Sequence, residues 1–210
     1  MDANNIILQM PFDESDGSLV AYDYSQNRAD GAVNGAHFVT GKNGNAISFA
    51  GSDTCEVSKA VFPNMTIDFT MMMWVQNREA ELGSPQKLIW VLNFSGLKNY
   101  VEVPIEAKPG SWFSLALTKK SGVFNFYVNS SLVKTVNNSG TLLGVSLNQD
   151  YYGGSWGFGL LDDVKFYNLA LTQAELINEM SSSKQQGYLL DGVNFKEYGV
   201  YVSGSDGVLT

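Results

Sequence analysis

The amino-acid sequence predicts an all-β fold, a two-sheet antiparallel β-sandwich with one short helix near its C-terminal end. Composition is one reason: charged residues make up 16% of the 210 residues and glycine occurs 21 times, which suits short strands joined by many turns. The second reason is that apolar and polar residues alternate in several segments, with the period of a strand. The third is that 44% of the residues are hydrophobic, enough for the core of one domain.

The N-terminal part of the chain predicts two strands separated by turns. Residues 6–12 form the first predicted strand, which runs into an acidic turn at 13–17. Gly41 and Gly44 mark a later turn, because glycine readily adopts the positive φ that such turns require. We expect a second strand directly after this turn, at residues 46–49.

The middle of the chain predicts several further strands. The longest alternating segment, 67–75, is apolar on both faces at its end, as expected near the middle of a sandwich. We expect Trp74 and Trp112 to fill the space between the sheets, since indole rings are large and apolar. Asn129-Ser130 predicts a hairpin turn. Strands are also predicted at 87–94, 112–118, 124–128 and 132–136.

The C-terminal part predicts a strand, a corner and a helix. In the strand at 162–167, alternation places Asp162 on the same face as Val164 and Phe166. Thr172-Gln173-Ala174-Glu175 is a capping box, which predicts a helix that starts after the threonine. We therefore expect residues 1–182 to form the sandwich domain. Residues 183–210 are expected to lie outside it, as a linker or an assembly segment.

Composition also excludes several functions. The formal net charge of −8 disfavours a nucleic-acid partner, which requires clustered Lys and Arg. Apolar stretches are too short for membrane insertion, and residues 1–5 lack the basic start of a signal peptide. The sequence does not determine where the protein acts, and an extracellular or virion-associated protein is favoured.

Two residue types occur only once in the chain. The lone Cys55 excludes an intrachain disulfide and is expected to be a small buried residue, while His37 is expected in a turn or at the surface.

Five segments follow one another in an order and spacing typical of a known fold family. They are Phe12-Asp13; GKNGNAISF with Glu56-Val57; MTIDFTMMMWV; PGSWFSLALTKKSGVFNFYVNSSLVKT; and GLLDDVKFYNLALTQAEL. With these segments, which span nearly residues 6–180, the chain resembles the laminin G-like domains of the concanavalin A-like lectin/glucanase superfamily. It departs from them at Asn129-Ser130, where the family often has Asp-Gly. The resemblance implies a jelly roll that binds carbohydrate or protein, as most members do.

The resemblance also implies a structural calcium ion (Ca²⁺) between the first and the closing strand. Asp13 and Asp162 match the family's ligand positions, and carbonyl groups of the turn at 41–45 would add further oxygens. An inward-pointing Asp162 needs either a cation or backbone amides as partners. The alternative is that both aspartates only cap turns. Asp163, on the opposite face, is expected to be solvated.

A cluster of aromatic and polar residues ahead of the closing strand is the candidate ligand-binding site. We expect it in a loop, where aromatic faces stack on sugar rings and polar side chains bind hydroxyl groups. The alternative is that the tryptophan packs beneath the loop and the tyrosines are ordinary surface residues. The cluster consists of Asn148, Asp150, Tyr151, Tyr152 and Trp156.

The sequence predicts no catalytic residues. The glucanase branch of the family carries a Glu-x-Asp-x-x-Glu strand motif, which this chain lacks, and one histidine with two arginines poorly supports a lyase. The predicted function is therefore non-catalytic recognition of a glycan or another cell-surface ligand. One alternative is a structural part of a phage tail or other virion component, assembled through the tail at 183–210, which loosely resembles phage tail proteins. A second alternative is a glycan-cleaving enzyme.

Overall fold

A computed structural model of the chain confirms the predicted β-sandwich. It describes residues 5–50, 53–57, 67–76, 87–94, 97–104, 110–140, 142–148 and 160–181. These residues form strands joined by short turns, and one helix near the end. The strands are β1 (Ile6–Met10), β2 (Val20–Ala21), β3 (Gly31–Asn34), β4 (His37–Thr40), β5 (Asn45–Ser48), β6 (Thr54–Glu56), β7 (Phe69–Gln76), β8 (Lys87–Phe94), β9 (Leu97–Pro104), β10 (Trp112–Lys120), β11 (Val123–Val128), β12 (Ser131–Asn137), β13 (Leu142–Asn148) and β14 (Leu160–Tyr167); the helix is α1 (Gln173–Ser181).

The strands form one large and two small antiparallel sheets. The large sheet has eight strands in the order β12-β11-β10-β7-β14-β5-β4, with β1 paired to β14. The small sheets have three strands each, in the orders β13-β8-β9 and β2-β3-β6. The main hydrophobic core takes side chains from all three sheets, including Leu115 of the large sheet, Val103 of β9 and Val33 of β3. The two small sheets therefore cover one face of the large sheet.

The helix α1 covers part of the opposite face of the large sheet, which we call the outer face. A second hydrophobic cluster lies there, and it joins Met72, Tyr127 and Tyr167 of the sheet to Leu171 and Leu176 on the helical side. The predicted capping box is confirmed: the Glu175 amide donates to Thr172 Oγ1 (3.3 Å), and the Thr172 amide donates to Glu175 Oε2 (2.7 Å). The cap starts the helix where its apolar side meets the sheet.

A β-bulge interrupts β14 at the two aspartates. The register of β14 against β7 shifts by one residue between Asp162 and Lys165. Asp163 has φ of 50°, a left-handed conformation that Asp tolerates better than most residues. On one side of the bulge β14 pairs with β5, and on the other side it pairs with β1.

The bulge makes the expected orientation of Asp162 wrong. Asp162 lies directly opposite Trp74, whose neighbour Val75 belongs to the main core. Directly opposed residues share a face and successive residues alternate, so Asp162 points to the outer face. Val164 and Phe166, beyond the bulge, pack in the main core as expected. One inserted residue has thus reversed the alternation on which the expectation depended.

The expectation that Trp74 and Trp112 fill the space between the sheets is also wrong. Their neighbours Val75 and Phe113 are the residues that enter the main core, so both indole rings lie on the outer face. Both tryptophans are partly exposed. Within the described ranges, neither belongs to one of the two hydrophobic clusters.

The predicted hairpin at Asn129-Ser130 is confirmed. Val128 pairs with Ser131, which leaves a two-residue loop, and the φ angles of Asn129 and Ser130 are 48° and 60°. Two positive φ values are the signature of the type I′ turn, whose twist matches that of paired strands. Asn129 also accepts a hydrogen bond at Oδ1 from the Ser114 amide (3.0 Å). The turn is therefore attached to the backbone of β10 at Ser114.

Asn148, expected in a loop, is the last residue of β13 and pairs with Ile89, so that part of the loop prediction is wrong. Residues 183–210 lie outside the described residues, and their separation from the domain at 1–182 stays a prediction. Among the residues that the structure describes, α1 is much too short and too polar to cross a membrane.

Candidate functional site

The two predicted metal ligands hold one glycine-rich turn, residues 41–45, from two sides. Asp162 Oδ2 accepts hydrogen bonds from the amides of Lys42 (2.9 Å) and Asn43 (3.0 Å). Asp13 Oδ1 accepts one from the Asn45 amide (2.8 Å). Because Asp13 follows β1 and Asp162 belongs to β14, these contacts join the first strand to the closing strand. We call residues 41–45 the clamped turn.

Side chains of the clamped turn add two more contacts. Asn43 Nδ2 donates to Asp163 Oδ2 (2.9 Å), and Asn45 Nδ2 donates to the backbone carbonyl of Glu14 (3.0 Å). Asp163, expected to be solvated, is therefore partly buried and bonded to the turn. Gly41 has no room for a side chain: a Cβ there would lie 2.7 Å from Asp162 Oδ2 and 2.6 Å from the Asn45 carbonyl oxygen. The glycine lets backbone and carboxylate approach this closely.

The carboxylates at the clamped turn are of the oxygen type that calcium binds. Two carboxylates alone do not supply the number of ligands that calcium takes. Calcium takes six to eight oxygen ligands, and carboxylates with backbone carbonyls are the usual sources. Asp13 and Asp162 supply two carboxylates, and one oxygen of each already accepts backbone N–H groups. Within the described ranges, no group of three or more Asp, Glu, His or Cys side chains is arranged to hold a metal. The calcium assignment therefore stays a prediction.

A second arrangement lies beside the clamped turn, on the part of the outer face that carries the two tryptophans. Five residues on five neighbouring strands are paired one after another: Trp112 with Gln76, Gln76 with Leu160, Leu160 with Ser48, and Ser48 with His37. We call this the outer row. Each residue is partly or fully exposed.

The residues adjacent to the outer row in each strand show which face of the large sheet the outer row occupies. The adjacent residues on the same five strands are paired with one another in the same way; four of them belong to the main core, and the fifth, Leu161, packs against it. Successive residues of a strand point to opposite faces, so the outer row points away from the core. These adjacent residues are Phe113, Val75, Leu161, Ile47 and Phe38.

A shorter row on the same face connects the outer row to the clamped turn. Ser114 pairs with Trp74, and Trp74 pairs with Asp162. The Lys42 ammonium lies 5.0 Å from the centroid of the Trp74 ring, within the range of a cation–π contact. Asp162 thus holds the backbone of the residue whose side chain covers Trp74.

The chemistry of this surface suits a polyhydroxylated ligand. Trp74 and Trp112 are diagonal neighbours on adjacent strands, about 7–8 Å apart at the backbone. Indole faces pack against the apolar C–H faces of sugar rings, while Gln76 and Ser48 supply hydrogen-bond donors and acceptors. At the far end, His37 Nδ1 lies 3.0 Å from Asp16 Oδ1, and this hydrogen bond holds the pKa of Asp16 below its ordinary value of 3.8.

Most of the predicted ligand-binding cluster cannot be placed on this surface. Asp150, Tyr151, Tyr152 and Trp156 lie outside the described residues. The chain segment that contains them leads directly into Leu160, a member of the outer row. Their role in binding stays a prediction.

Sequence reasoning missed the outer row because it placed both tryptophans in the core. A usable signal was present in 69–75, where Phe69, Met71, Met73 and Val75 form one continuous apolar face. Trp74 belongs to the alternate face with Thr70, Met72 and Gln76, two of which are polar. This more polar face favours an exposed position for Trp74 over a buried one.

Cys55 agrees with its predicted role as a small apolar residue. It is partly buried and packs against the main core. Burial, reinforced by the negative charge of Glu14, raises the pKa of the Cys55 thiol to about 11. The thiol is therefore protonated and poorly reactive at neutral pH.

Comparison with known proteins agrees with the fold. Residues 76–177, just under half of the chain, match the family model of the concanavalin A-like lectin/glucanases superfamily. No curated protein matches the chain in sequence.

Several solved structures share the architecture. Domain 4 of AbnA, an extracellular arabinanase from Geobacillus stearothermophilus solved with arabinotriose, superposes with a TM-score of 0.60 at 15% identity, over 83% of this chain and 98% of that one. The binding domain of botulinum neurotoxin DC, solved with rat synaptotagmin II, has a TM-score of 0.57 at 11% identity, over 87% of this chain and 52% of that one.

A third structure is that of botulinum neurotoxin type C, a toxin whose cell entry is described as dependent on interaction with two ganglioside molecules. It gives a TM-score of 0.56 at 11% identity, over 84% of this chain and 51% of that one. This chain thus spans about half the length of the matched neurotoxin chains. At these identities the likeness establishes the fold alone. By its strand order, its two packed layers and the match over residues 76–177, the chain has the jelly-roll fold of the concanavalin A-like lectin/glucanase superfamily, which it resembles.

Proposed function

We propose that this chain is a non-catalytic recognition module that binds carbohydrate through the outer face of its large sheet. The observation that carries the proposal is the pair of partly exposed tryptophans, Trp74 and Trp112, on neighbouring strands of that face. Large aromatic residues are normally buried, so two of them side by side at the surface indicate a contact area for a ligand.

Two further observations support carbohydrate as the ligand. The aromatic pair is bordered by polar side chains, with Gln76 beside Trp112 and Lys42 beside Trp74, rather than by a wide apolar patch. Among proteins of similar fold, one was solved with arabinotriose and another is described as depending on gangliosides. A flat apolar ring with hydrogen-bonding neighbours is the arrangement that a sugar, with its C–H face and hydroxyl rim, requires.

A binding role also agrees with what the acidic residues do. A glycosidase needs two carboxyl groups that face the scissile bond, one of which donates a proton. Asp13 and Asp162 instead accept backbone N–H groups of the clamped turn, and Asp162 is fully buried. Their position fits the support of a loop better than catalysis on a substrate.

The test is a glycan array followed by titration calorimetry with Trp74→Ala and Trp112→Ala. We expect each variant to lose about fivefold in affinity, since a stacked aromatic contributes on the order of 1 kcal/mol and about 1.4 kcal/mol corresponds to tenfold. Tyr22→Ala is the matched control, because Tyr22 is a 47% exposed aromatic residue that follows β2, in the layer that packs on the other face of the large sheet. Unchanged affinity of both tryptophan variants, with bound glycan, would place the site elsewhere; no glycan bound at all would reject the proposal.

Calcium at the clamped turn is a separate proposal, and glycan binding as proposed involves no calcium ligand. Asp13 and Asp162 would hold the ion through oxygens and would thereby tie β1 to β14. Assembly into a virion through residues 183–210 stays a prediction, since these residues lie outside the described part of the chain.

A further inference from the structure

The outer row runs straight across the large sheet rather than along one strand. It starts at Trp112 on β10 and crosses β7, β14 and β5 to reach His37 on β4. Neighbouring strands lie about 4.8 Å apart, so four steps span roughly 19 Å. One strand spacing is also close to the length of one sugar ring in an extended chain.

We propose that the ligand is an extended, neutral, linear oligosaccharide of about five residues, which lies across the strands with about one sugar for each of the five positions of the outer row. The inference rests on the proposed function and specifies its ligand: a stretch within a polysaccharide, rather than the terminal sugar of a branched glycan. A ligand that touched only Trp74 and Trp112 would leave the other end of the row unused.

The side chains along the outer row differ in a way that suits such a chain. Trp112 provides a stacking face at one end, and Gln76 and Ser48 provide donors and acceptors for hydroxyl groups between the ends. Leu160, between these two, offers an apolar contact for a C–H face. At the other end, Asp16 engages His37 Nδ1, which leaves Nε2 as the ring atom for a ligand hydroxyl. His37 is thus oriented by a partner before any ligand arrives.

The charges around the outer row favour a neutral sugar. Asp16 lies at one end of the row, while Asp162 and Asp163 lie beside its middle. The whole chain carries a formal charge of −8. Lys42 lies over the Trp74 ring, beside the outer row rather than in it. A sugar acid would therefore approach a negative surface, which costs affinity.

The experiment measures affinity as a function of chain length. Linear arabino-, xylo- and cello-oligosaccharides, from disaccharide to hexasaccharide, are titrated into the wild-type chain and into His37→Ala and Trp112→Ala. We expect the best series to gain at least tenfold in affinity from the disaccharide to the pentasaccharide and to level off there. His37→Ala should lower the affinity of penta- and hexasaccharides about fivefold, as expected for one lost hydrogen bond of about 1 kcal/mol, and leave that of the disaccharide unchanged.

Val39→Ala is the matched control for His37→Ala, because Val39 is exposed on the same face of the same strand but pairs with Ala46, outside the outer row. It should leave all affinities unchanged. Equal affinity for all chain lengths, or equal loss for all lengths in His37→Ala, would overturn the extended ligand while the proposed function stands. Tighter binding of a uronic-acid series would overturn the neutral ligand. Failure of every glycan to bind would overturn the proposed function and this inference with it.

Discussion

The outer face of the large sheet has two halves that share the same strands and differ in what covers them. On β7, Met72 is 1% exposed because α1 packs over it, while Trp74, two residues further along, is partly exposed. On β10, Ala116 belongs to the covered half and Trp112 to the open one. One continuous sheet face is thus covered at one end, where the contact with α1 stabilises the fold, and left open at the other.

The largest expected effect comes from a cavity between α1 and the covered half. Leu176 of α1 is fully buried in the second cluster, so Leu176→Ala leaves a cavity between helix and sheet and should lower the free energy of unfolding by about 2–5 kcal/mol. Urea denaturation followed by fluorescence measures this loss. Ile177→Ala, at a 46% exposed position on the same helix, should change stability by less than about 0.5 kcal/mol. A loss equal in both variants would mean that α1 does not seal this half.

The proposed calcium ion would stabilise the side of the fold next to the open half, since the clamped turn adjoins that half through Asp162 and Lys42. If the proposed ion binds, calcium at about 100 times its dissociation constant should add roughly 2.7 kcal/mol of stability. The melting temperature in calcium should then exceed that in EDTA for the wild type, and Asp13→Asn should reduce the difference. Magnesium, which is smaller and dehydrates reluctantly, is the control ion. Equal melting temperatures in calcium and EDTA would leave the backbone amides as the partners of both aspartates.

The sandwich itself was predictable because its signals are local. Alternation, turn residues and the capping box at Thr172 each depend on a few neighbouring residues, and the structure confirms them. Which face of a strand points to the main core is not determined by such local signals. Met72 and Met73 are both apolar and both buried, one beneath α1 and the other in the main core. At this end of the sheet both faces are buried and apolar. The polarity of the side chains therefore does not identify the face that points to the core.

The orientation of Asp162 could not be predicted for a related reason. A bulge adds one residue to β14, and the period-two rule fails beyond any inserted residue. Asp163 adopts a positive φ there without being glycine, so the sequence carries no clear marker. The outer row likewise depends on the register among five strands that are distant in the chain. Such registers are set by tertiary packing, which one sequence does not reveal.

Acid should loosen the contact between α1 and the covered half. Glu179 of α1 accepts hydrogen bonds at Oε2 from Lys165 Nζ (2.9 Å) and from Tyr167 Oη (2.8 Å) on the outer face. Burial alone would raise the pKa of Glu179, but the hydrogen bond and charge of Lys165, with the Tyr167 hydrogen bond, outweigh burial and hold the pKa below its ordinary value of 4.5. A carboxyl with a lowered folded-state pKa stabilises the fold above its unfolded value and loses that contribution as pH falls through the folded value.

The measurement is the melting temperature between pH 6 and pH 3 for the wild type and Glu179→Gln. At pH 6 the variant should be less stable by about 1–2 kcal/mol, as expected for hydrogen bonds to a charged group. The difference should shrink below pH 4.5, the ordinary value for Glu. The difference between the two proteins isolates Glu179 from Asp16 and Glu175, whose pKa values are also lowered. A difference that is constant with pH would show that the loss is one of packing.

The smallest expected effect concerns the hairpin turn, which contacts both halves. Ser130 accepts a hydrogen bond at its carbonyl from Gln173 Nε2 of α1 (2.9 Å), and Asn129 Oδ1 accepts one from Ser114 beside Trp74. Ser130 has φ of 60°, where a residue other than glycine costs roughly 1–2 kcal/mol. Ser130→Gly removes this cost at the expense of a more flexible unfolded chain, and should stabilise the fold by about 0.5 kcal/mol in urea denaturation.

Asn129→Gly is the matched control for Ser130→Gly, because it relieves a similar φ of 48° but also removes the side chain that accepts the Ser114 amide. The lost hydrogen bond, about 1 kcal/mol, should cancel or exceed the gain. Because Ser114 lies beside Trp74, Asn129→Gly should also weaken glycan binding slightly, whereas Ser130→Gly should leave it unchanged. Equal stabilisation by both substitutions would mean that Asn129 acts only through its backbone, and that the open half is independent of the turn.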